Sequence, residues 1–192
     1  MIKPFYFLTI LFFTLSCNSK KIDSEELKTE RTDKNANISK ERIKIVEEIK
    51  TLQKDLEEGN FEEIANHLDT PKRIEELELA LDNSKIRNAI ESSSSRLSID
   101  AIRNHYDILY DVLDLNIINE SIKNISEDDL LNYNKNSASV KIGECDYKTE
   151  ISINDKEVKF SINSESDECK KDQQWKLISN GESLILDRRY YL

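Results

Sequence analysis

The sequence predicts an α+β fold in which N-terminal helices pack on one face of a C-terminal antiparallel meander of about five strands. Two hydrophobic periods support this class. Apolar residues recur every three to four positions over 39–133, which is typical of amphipathic helices, and every second position over 137–191, which is typical of half-buried strands. Because such a sheet has one apolar face, the helices are expected to cover it, which gives a single domain over 39–192.

The helical half begins with its clearest amphipathic segment. Its inward face is formed by Ile45, Ile49, Leu52 and Leu56. Gly59 suits the left-handed conformation that ends a helix, and Asn60 is placed to cap a second helix. A third helical stretch is predicted over 74–90, and Ser98 is predicted to open the last long helix. The inward face of that helix is formed by Ile102, Tyr106, Leu109, Tyr110 and Leu113.

The strands are predicted from alternation and from turn residues. The apolar positions are Ala138, Val140 and Ile142, then Tyr147, Thr149, Ile151 and Ile153, then Val158, Phe160 and Ile162. Asn154 and Asp155 are expected to turn the middle pair of strands. Asn180 and Gly181 form a two-residue hairpin signal that is expected to join a strand over 175–179 to one over 183–187.

The first seventeen residues have the composition of an export signal. Lys3 precedes an apolar run over 5–15, and Ser16 and Cys17 follow it. The run is too short to cross a bilayer, which needs about 20 residues, but it fits the central part of a secretory signal. We therefore expect residues 1–16 to be removed during export.

The segment that ends at Cys17 resembles bacterial lipoprotein signal peptides, in which a leucine and two small residues precede a cysteine that receives lipid. Ser16 matches, whereas Leu15 lies one place late and Thr14 stands where leucine is usual. The resemblance implies diacylglycerol and a palmitate-type acyl chain on Cys17, a combination that gives stable anchoring. Asn18 stands where aspartate retains family members in the inner membrane, which implies the outer membrane, facing the periplasm. The alternative is an ordinary signal cleaved near Ser16.

Residues 17–38 are predicted to form the lipidated cysteine and a flexible, polar tether. The whole chain is acidic, with a formal net charge of −10 at pH 7, and loss of the signal removes only the positive charge of Lys3. Such a charge argues against nucleic acid and anionic lipid surfaces as partners. It would steer a basic protein partner, although solubility alone also explains an acidic surface.

The two cysteines after Cys17 are predicted to form a disulfide. Cys145 and Cys169 are an even pair in an exported chain, and oxidising compartments preserve disulfides. The predicted meander brings both residues to the same end of the sheet. If they are reduced, we interpret them as loop residues rather than zinc ligands, because two cysteines without nearby histidines make half a zinc site.

Several short motifs together resemble the nuclear-transport-factor-two-like (cystatin-like) superfamily. A long helix ends in 56–61 (LEEGNF), a short helix is closed by 68–71 (LDTP), and 174–178 (QWKLI) precedes a turn and a last strand. The resemblance implies a cone-shaped cavity between the sheet and the helices. Residues 72–135 form a longer helical block than the third helix of that family, and this departure implies a filled or covered cavity.

The resemblance also directs attention to polar residues that would face the cone. Enzymatic members place a His, Asp or Tyr dyad there, and the corresponding candidates are His67, His105, Tyr106, Asp107 and Tyr110. His105 falls on the flank of its helix, and His67 lies near a helix C-terminus, where the dipole favours it. Glu63 and His67 have a metal-compatible spacing but lack further ligands. We therefore predict no catalytic residue, no metal and no cofactor.

Other signatures of chemistry are absent from the sequence. No GxSxG, HExxH, GxGxxG, P-loop or CxxC pattern occurs. Residues 187–191 mix basic and aromatic side chains that could contact an anion, but we expect them to complete the last strand, with Arg188 or Arg189 paired to the acidic surface. Trp175 and Phe160 are predicted to be core residues.

The sequence therefore favours a membrane-anchored, non-enzymatic module that binds a protein or a small apolar ligand. An inhibitor or immunity-type lipoprotein that blocks a basic toxin or hydrolase is the alternative. A cavity hydrolase or isomerase is a third hypothesis, and it requires a buried histidine within hydrogen-bond reach of a carboxylate.

Overall fold

The computed structural model describes residues 38–73, 87–88, 96–164, 166–169 and 171–191, all within one compact unit. The predicted signal segment 1–16, Cys17, the predicted tether up to residue 37 and most of the predicted third helical stretch over 74–90 lie outside the described residues. Among the helices that are described, none combines the length and the apolar composition needed to cross a membrane.

The α+β class is confirmed, with the helices in the N-terminal part of the domain and the five-stranded sheet in its C-terminal part. The helices are α1 (Lys40–Glu58), α2 (Phe61–His67), α3 (Ile99–Val112), α4 (Leu115–Lys123) and α5 (Glu127–Asn132). Ser39 and Ser98 cap α1 and α3, each accepting a hydrogen bond from the backbone N–H three residues ahead. Gly59 ends α1 with φ 64°, as predicted. Asn60 occupies the N-cap position of α2, as predicted, but its side chain makes no capping hydrogen bond and instead donates to Asp55.

The strands are β1 (Lys72–Arg73), β2 (Arg96–Leu97), β3 (Lys135–Ile142), β4 (Cys145–Asn154), β5 (Glu157–Ser164), β6 (Gln173–Ser179) and β7 (Leu184–Tyr191). Strands β3 to β7 form the predicted antiparallel meander in sequence order. Its inner face is apolar, and Ile151, Phe160 and Trp175 pair across β4, β5 and β6. The core assignments of Phe160 and Trp175 are thus confirmed.

The β6–β7 connection differs from the predicted two-residue hairpin. Ser179 pairs with Leu184, so the loop has four residues, from Asn180 onward. The Asn180 side-chain oxygen accepts hydrogen bonds from the N–H groups of Glu182 and Ser183. Because an asparagine that bonds the backbone two residues ahead forms its own turn, the chain needs more residues to return to the strand direction.

The helical half is also interrupted where a continuous run of helices was expected. Strands β1 and β2 pair as a short ribbon in which Lys72 lies opposite Leu97. Thr70 precedes Pro71, which disfavours helical geometry at residue 70. The last long helix is divided as well, because Asp114 adopts φ 56° between α3 and α4.

The backbone hydrogen bonds show which groups point outward at β7 and β3, the two edge strands of the meander. The Asn180 N–H donates to the Ser183 carbonyl, so the backbone groups of Ser183 point toward the β6 side. Because successive residues of an antiparallel strand point alternately toward and away from their neighbour, the carbonyls of Leu184 and Leu186 point away from β6. At the other edge, the Ile153 N–H of β4 donates to the carbonyl of Asn134, the residue before β3, so the backbone groups of Asn134 point toward β4. It follows that alternate backbone groups of β3, among them those of Ser137, Ser139 and Lys141, point outward.

Candidate functional site

The candidate His67 lies in the protein interior rather than at the surface. It is the last residue of α2, and only 3% of it is exposed. Its Nε2 atom lies 3.1 Å from Oδ2 of the buried Asp55, and its Nδ1 atom lies 2.7 Å from the Leu184 carbonyl oxygen. Because a carbonyl and an ionised carboxylate only accept, both bonds form together when each ring nitrogen carries a hydrogen. The structure thus joins α1, α2 and β7 through one imidazole.

A buried lysine continues the row of polar contacts started by His67. Lys72 Nζ donates to the Leu186 carbonyl oxygen at 2.5 Å and lies 3.3 Å from the Asp69 carboxylate. Leu184 and Leu186 present the outward-pointing carbonyls of β7, and His67 and Lys72 bond one each. These side chains therefore seal a sheet edge that would otherwise expose unpaired backbone groups. The sequence analysis missed Lys72, which follows Pro71 with no distinguishing pattern.

A small cavity lies beside His67, between the helices and the sheet. Its volume is about 20 Å³. It is lined by Leu52, Leu56, Ile64, His67, Leu68, Leu115, Ile118, Trp175 and Leu177. A volume of this size matches a single water molecule, whereas pockets for small-molecule ligands measure about 300–1,000 Å³. The space beside His67, between helices and sheet, therefore holds no small-molecule pocket among the described residues.

The other predicted candidates lie together, but apart from His67. Tyr106 donates through its hydroxyl to the Leu56 carbonyl at 2.8 Å, and the Tyr110 hydroxyl accepts from Asn119 at 3.0 Å. Burial raises the pKa of Tyr106, and the nearby Tyr110 and Asp107 add to the rise. Burial likewise raises the pKa of Tyr110, against the opposing bond from Asn119. These hydroxyls bond within the protein, and both are half-buried.

Among the described residues, His105 has neither the carboxylate partner nor the carbonyl partner that His67 has. It is half-buried and interrupts the helical geometry of α3 with φ −135° and ψ 25°. The predicted metal spacing is also unused, because Glu63 accepts a bond from Asn66 while His67 faces Asp55. Within the described ranges, no group of three or more His, Cys, Asp or Glu side chains is arranged to hold a metal ion.

A second buried polar cluster surrounds Asp114. Its carboxylate accepts from Lys171 and Gln173 and lies 3.2 Å from Arg189 Nη2. The Arg189 guanidinium lies 5.6 Å from the ring centre of Trp175, within cation–π range. The expectation that Arg189 pairs with the acidic surface is wrong, because only 1% of this residue is exposed and its carboxylate partner is buried.

No family model, curated protein or solved structure matches the chain. The resemblances to lipoprotein signals and to nuclear-transport-factor-two-like domains stay predictions.

The cysteine pair supports the Asp114 cluster from one side. Cys145 begins β4, and Cys169 lies in the 3₁₀ turn Asp167–Cys169 between β5 and β6. The two residues lie at disulfide distance, with Cα atoms 5.7 Å apart. Lys171 follows Cys169 by two residues, so the link holds the segment from which Lys171 reaches Asp114.

Proposed function

We propose that this chain is a lipid-anchored protein of the bacterial cell envelope that binds a protein partner and catalyses no reaction. The anchor would be Cys17, after removal of residues 1–16, and the domain would face the periplasm from the outer membrane. The signal-like composition of the first seventeen residues supports the anchor. The small size of the interior cavity supports the binding role on the outer surface.

The geometry of His67 supports a structural rather than a catalytic assignment. The hypothesis of a cavity enzyme requires a buried histidine beside a carboxylate, and the structure brings His67 and Asp55 together in this way. A general base must also reach the proton that it removes from a substrate. Both ring nitrogens of His67 are already bonded, and the adjacent cavity of about 20 Å³ leaves no space for a substrate.

The same cavity favours a protein over a small apolar ligand. A ligand of even a few carbon atoms exceeds the volume beside His67, whereas protein partners bind to exposed surfaces of about 800 Å² per side. An inhibitor or immunity-type lipoprotein is a specific form of this proposal. The helical layer supports it, since exposed carboxylates of α1, α2 and α3 lie on neighbouring elements.

The anchor is tested by the mass of the full-length product extracted from the membranes of a bacterial host. We expect a chain that starts at Cys17 and carries diacylglycerol and an acyl chain, and we expect globomycin to block its processing. The Cys17→Ser variant is the matched control and should yield no lipidated product. An intact N-terminus, or an unmodified Cys17 in the mature chain, would contradict the proposal.

The binding role is tested by photo-cross-linking in the same cells. A photoreactive residue at the exposed position 111 on α3 should give a discrete protein adduct, and one at position 148 on the outer sheet face should not. The His67→Gln variant should keep the adduct if it folds. Turnover of a small-molecule substrate that is lost in His67→Gln, with folding intact, would favour the cavity-enzyme hypothesis instead.

A further inference from the structure

Three aromatic side chains form a half-exposed column where α2 meets α3. The ring centres of Phe61 and Tyr106 are 5.3 Å apart in an edge-on arrangement, and those of Tyr106 and Tyr110 are also 5.3 Å apart. The Gly59 turn packs beneath the first two rings. Tyr106 is fixed to the end of α1 by its bond to Leu56. The column is therefore a rigid, partly apolar surface on the helical layer.

Two groups of carboxylates lie on residues that neighbour this column. In the first, Lys123 lies between Glu57 and Glu120, at 3.1 and 2.8 Å. In the second, Arg103 lies between Glu62, which follows Phe61, and Asp100, at 2.6 and 3.1 Å. In each group, two carboxylates share one cation, so each group keeps a net negative charge.

The hydrogen bonds of the aromatic hydroxyls place these carboxylates next to the column. Glu57 follows Leu56, whose carbonyl accepts from Tyr106, and Glu120 follows Asn119, which donates to Tyr110. The exposed Asp107 follows Tyr106 on α3. We call Phe61, Tyr106, Tyr110 and the carboxylates Glu57, Glu62, Asp107 and Glu120 the aromatic–acidic surface.

We propose that the aromatic–acidic surface docks an arginine- and lysine-rich segment of a protein partner. This inference rests on the proposed binding function and names its surface and its class of partner. Aromatic faces attract guanidinium and ammonium groups, and the bordering carboxylates add charge complementarity. Tyrosine is also among the residues that contribute most to protein interfaces.

The binding mode follows from the arrangement of the charges. An incoming arginine can stack on the exposed part of Tyr110 while its guanidinium bonds Glu57 or Glu120, because Glu120 follows Asn119, which bonds the Tyr110 hydroxyl, and Lys123 joins the two carboxylates. Lys123 already neutralises one charge of that group, so the arriving cation meets the charge that remains. Asp107 and Glu62 would receive a second cation farther along the column. Nucleic acid and anionic lipid are repelled by the same charges.

The chain offers a matched control for simple charge attraction. The first turn of α5 carries the exposed carboxylates Glu127, Asp128 and Asp129, and no aromatic contact is found there among the described residues. If only net charge matters, a cationic probe should respond to both acidic sites alike. If the aromatic column contributes, the response should be confined to the surface beside Tyr110.

The test uses the purified full-length chain in detergent and an oligo-arginine peptide as the probe, with affinity measured by calorimetry near physiological salt. We expect Glu57→Gln with Glu120→Gln to weaken binding about tenfold, because both carboxylates that would bond the incoming guanidinium lose their charge. Glu127→Gln with Asp128→Asn should weaken it less than about twofold. Asp107→Asn, on an exposed position, should also weaken binding, and it serves if the first variant folds poorly.

Equal weakening by the two double variants would overturn the inference, because binding would then depend on net charge alone. An absence of peptide binding to the wild-type chain would overturn it as well. In that case a protein adduct at position 111 in cells would show that the binding function stands while its assigned surface or partner class fails. Peptide binding without any adduct in cells would instead contradict the proposed function.

Discussion

Replacing Asp55 by alanine should destabilise the domain far more than the loss of an exposed carboxylate would. In the folded protein, Asp55 accepts from His67 at 3.1 Å and from Asn60 at 3.2 Å, and it is itself buried. The substitution leaves the buried imidazole without a partner on Nε2. It also removes the link that holds the end of α1 to α2 and, through His67, to β7.

The size of the effect follows from these contacts. Leaving the buried imidazole without its hydrogen-bond partner costs about 1–3 kcal/mol, and a partly buried hydrogen bond such as that from Asn60 contributes about 1 kcal/mol. We therefore expect Asp55→Ala to lower the free energy of unfolding by about 3 kcal/mol. For a domain of this size, such a loss lowers the Tm by about 9 °C.

The measurement is urea denaturation at pH 7, followed by circular dichroism, with Glu58→Ala as the matched control. Glu58 lies on the same helix, three residues further on, but it is exposed and its nearest cation, Lys54, is 4.0 Å away. Its substitution should change the free energy of unfolding by less than about 0.5 kcal/mol.

A double-mutant cycle isolates the pair itself. The combined Asp55→Ala and His67→Ala variant should be less destabilised than the sum of the single variants, with a coupling of about 2 kcal/mol. Additive effects, or a cost of Asp55→Ala no larger than that of Glu58→Ala, would refute the assignment of this pair as the structural link between α1, α2 and β7.

Three further predictions concern other parts of the domain. Replacing Cys145 and Cys169 by serine should lower the free energy of unfolding by about 3.4 kcal/mol, the chain-entropy value for a separation of 24 residues, and a reducing agent should lower the Tm of the wild type but not of the variant. Asp114→Asn should cost about 3 kcal/mol in the same denaturation assay, because three donors lose a buried carboxylate, whereas Asp155→Asn, at a comparable positive φ in a turn, should be neutral. Hydrogen bonds from Lys159 and Lys176 lower the pKa of Glu157. The stabilisation from this carboxylate is therefore present above the ordinary glutamate pKa of about 4.3 and is lost as the pH falls through the lowered pKa. A difference in the free energy of unfolding between the wild type and Glu157→Gln that stays constant as the pH falls to about 2 would contradict this.

The elements that were predicted correctly from the sequence are those determined by residues close together along the chain. The inward face of α1, with Ile45 and Ile49, follows from helical spacing, and Ser98 caps α3 through a backbone group three residues away. Strand alternation placed Phe160 and Trp175 in the core for the same reason. Each depends on residues within one turn or one strand, which periodicity detects directly.

The contacts of the buried polar residues were missed because their partners are distant in the sequence. His67 bonds Leu184, which lies 117 positions away, and Arg189 pairs with Asp114 at a separation of 75. Hydrophobic periodicity treats every charged side chain as a solvent-facing position, so it cannot identify a lysine or an arginine that a remote carbonyl or carboxylate holds inside. Asp55 and Lys72 were overlooked on this account.

The unequal edges of the meander limit how copies of this protein can aggregate. His67 and Lys72 bond the outward carbonyls of Leu184 and Leu186 on β7, so these two carbonyls are not available to pair with another strand. On β3, the outward carbonyl of Ser139 receives a side-chain bond from Asn124. If two molecules pair through β3, each presents at its other edge a β7 strand whose Leu184 and Leu186 carbonyls are already bonded. Extension of such a pair into a longer sheet is therefore disfavoured at these two residues.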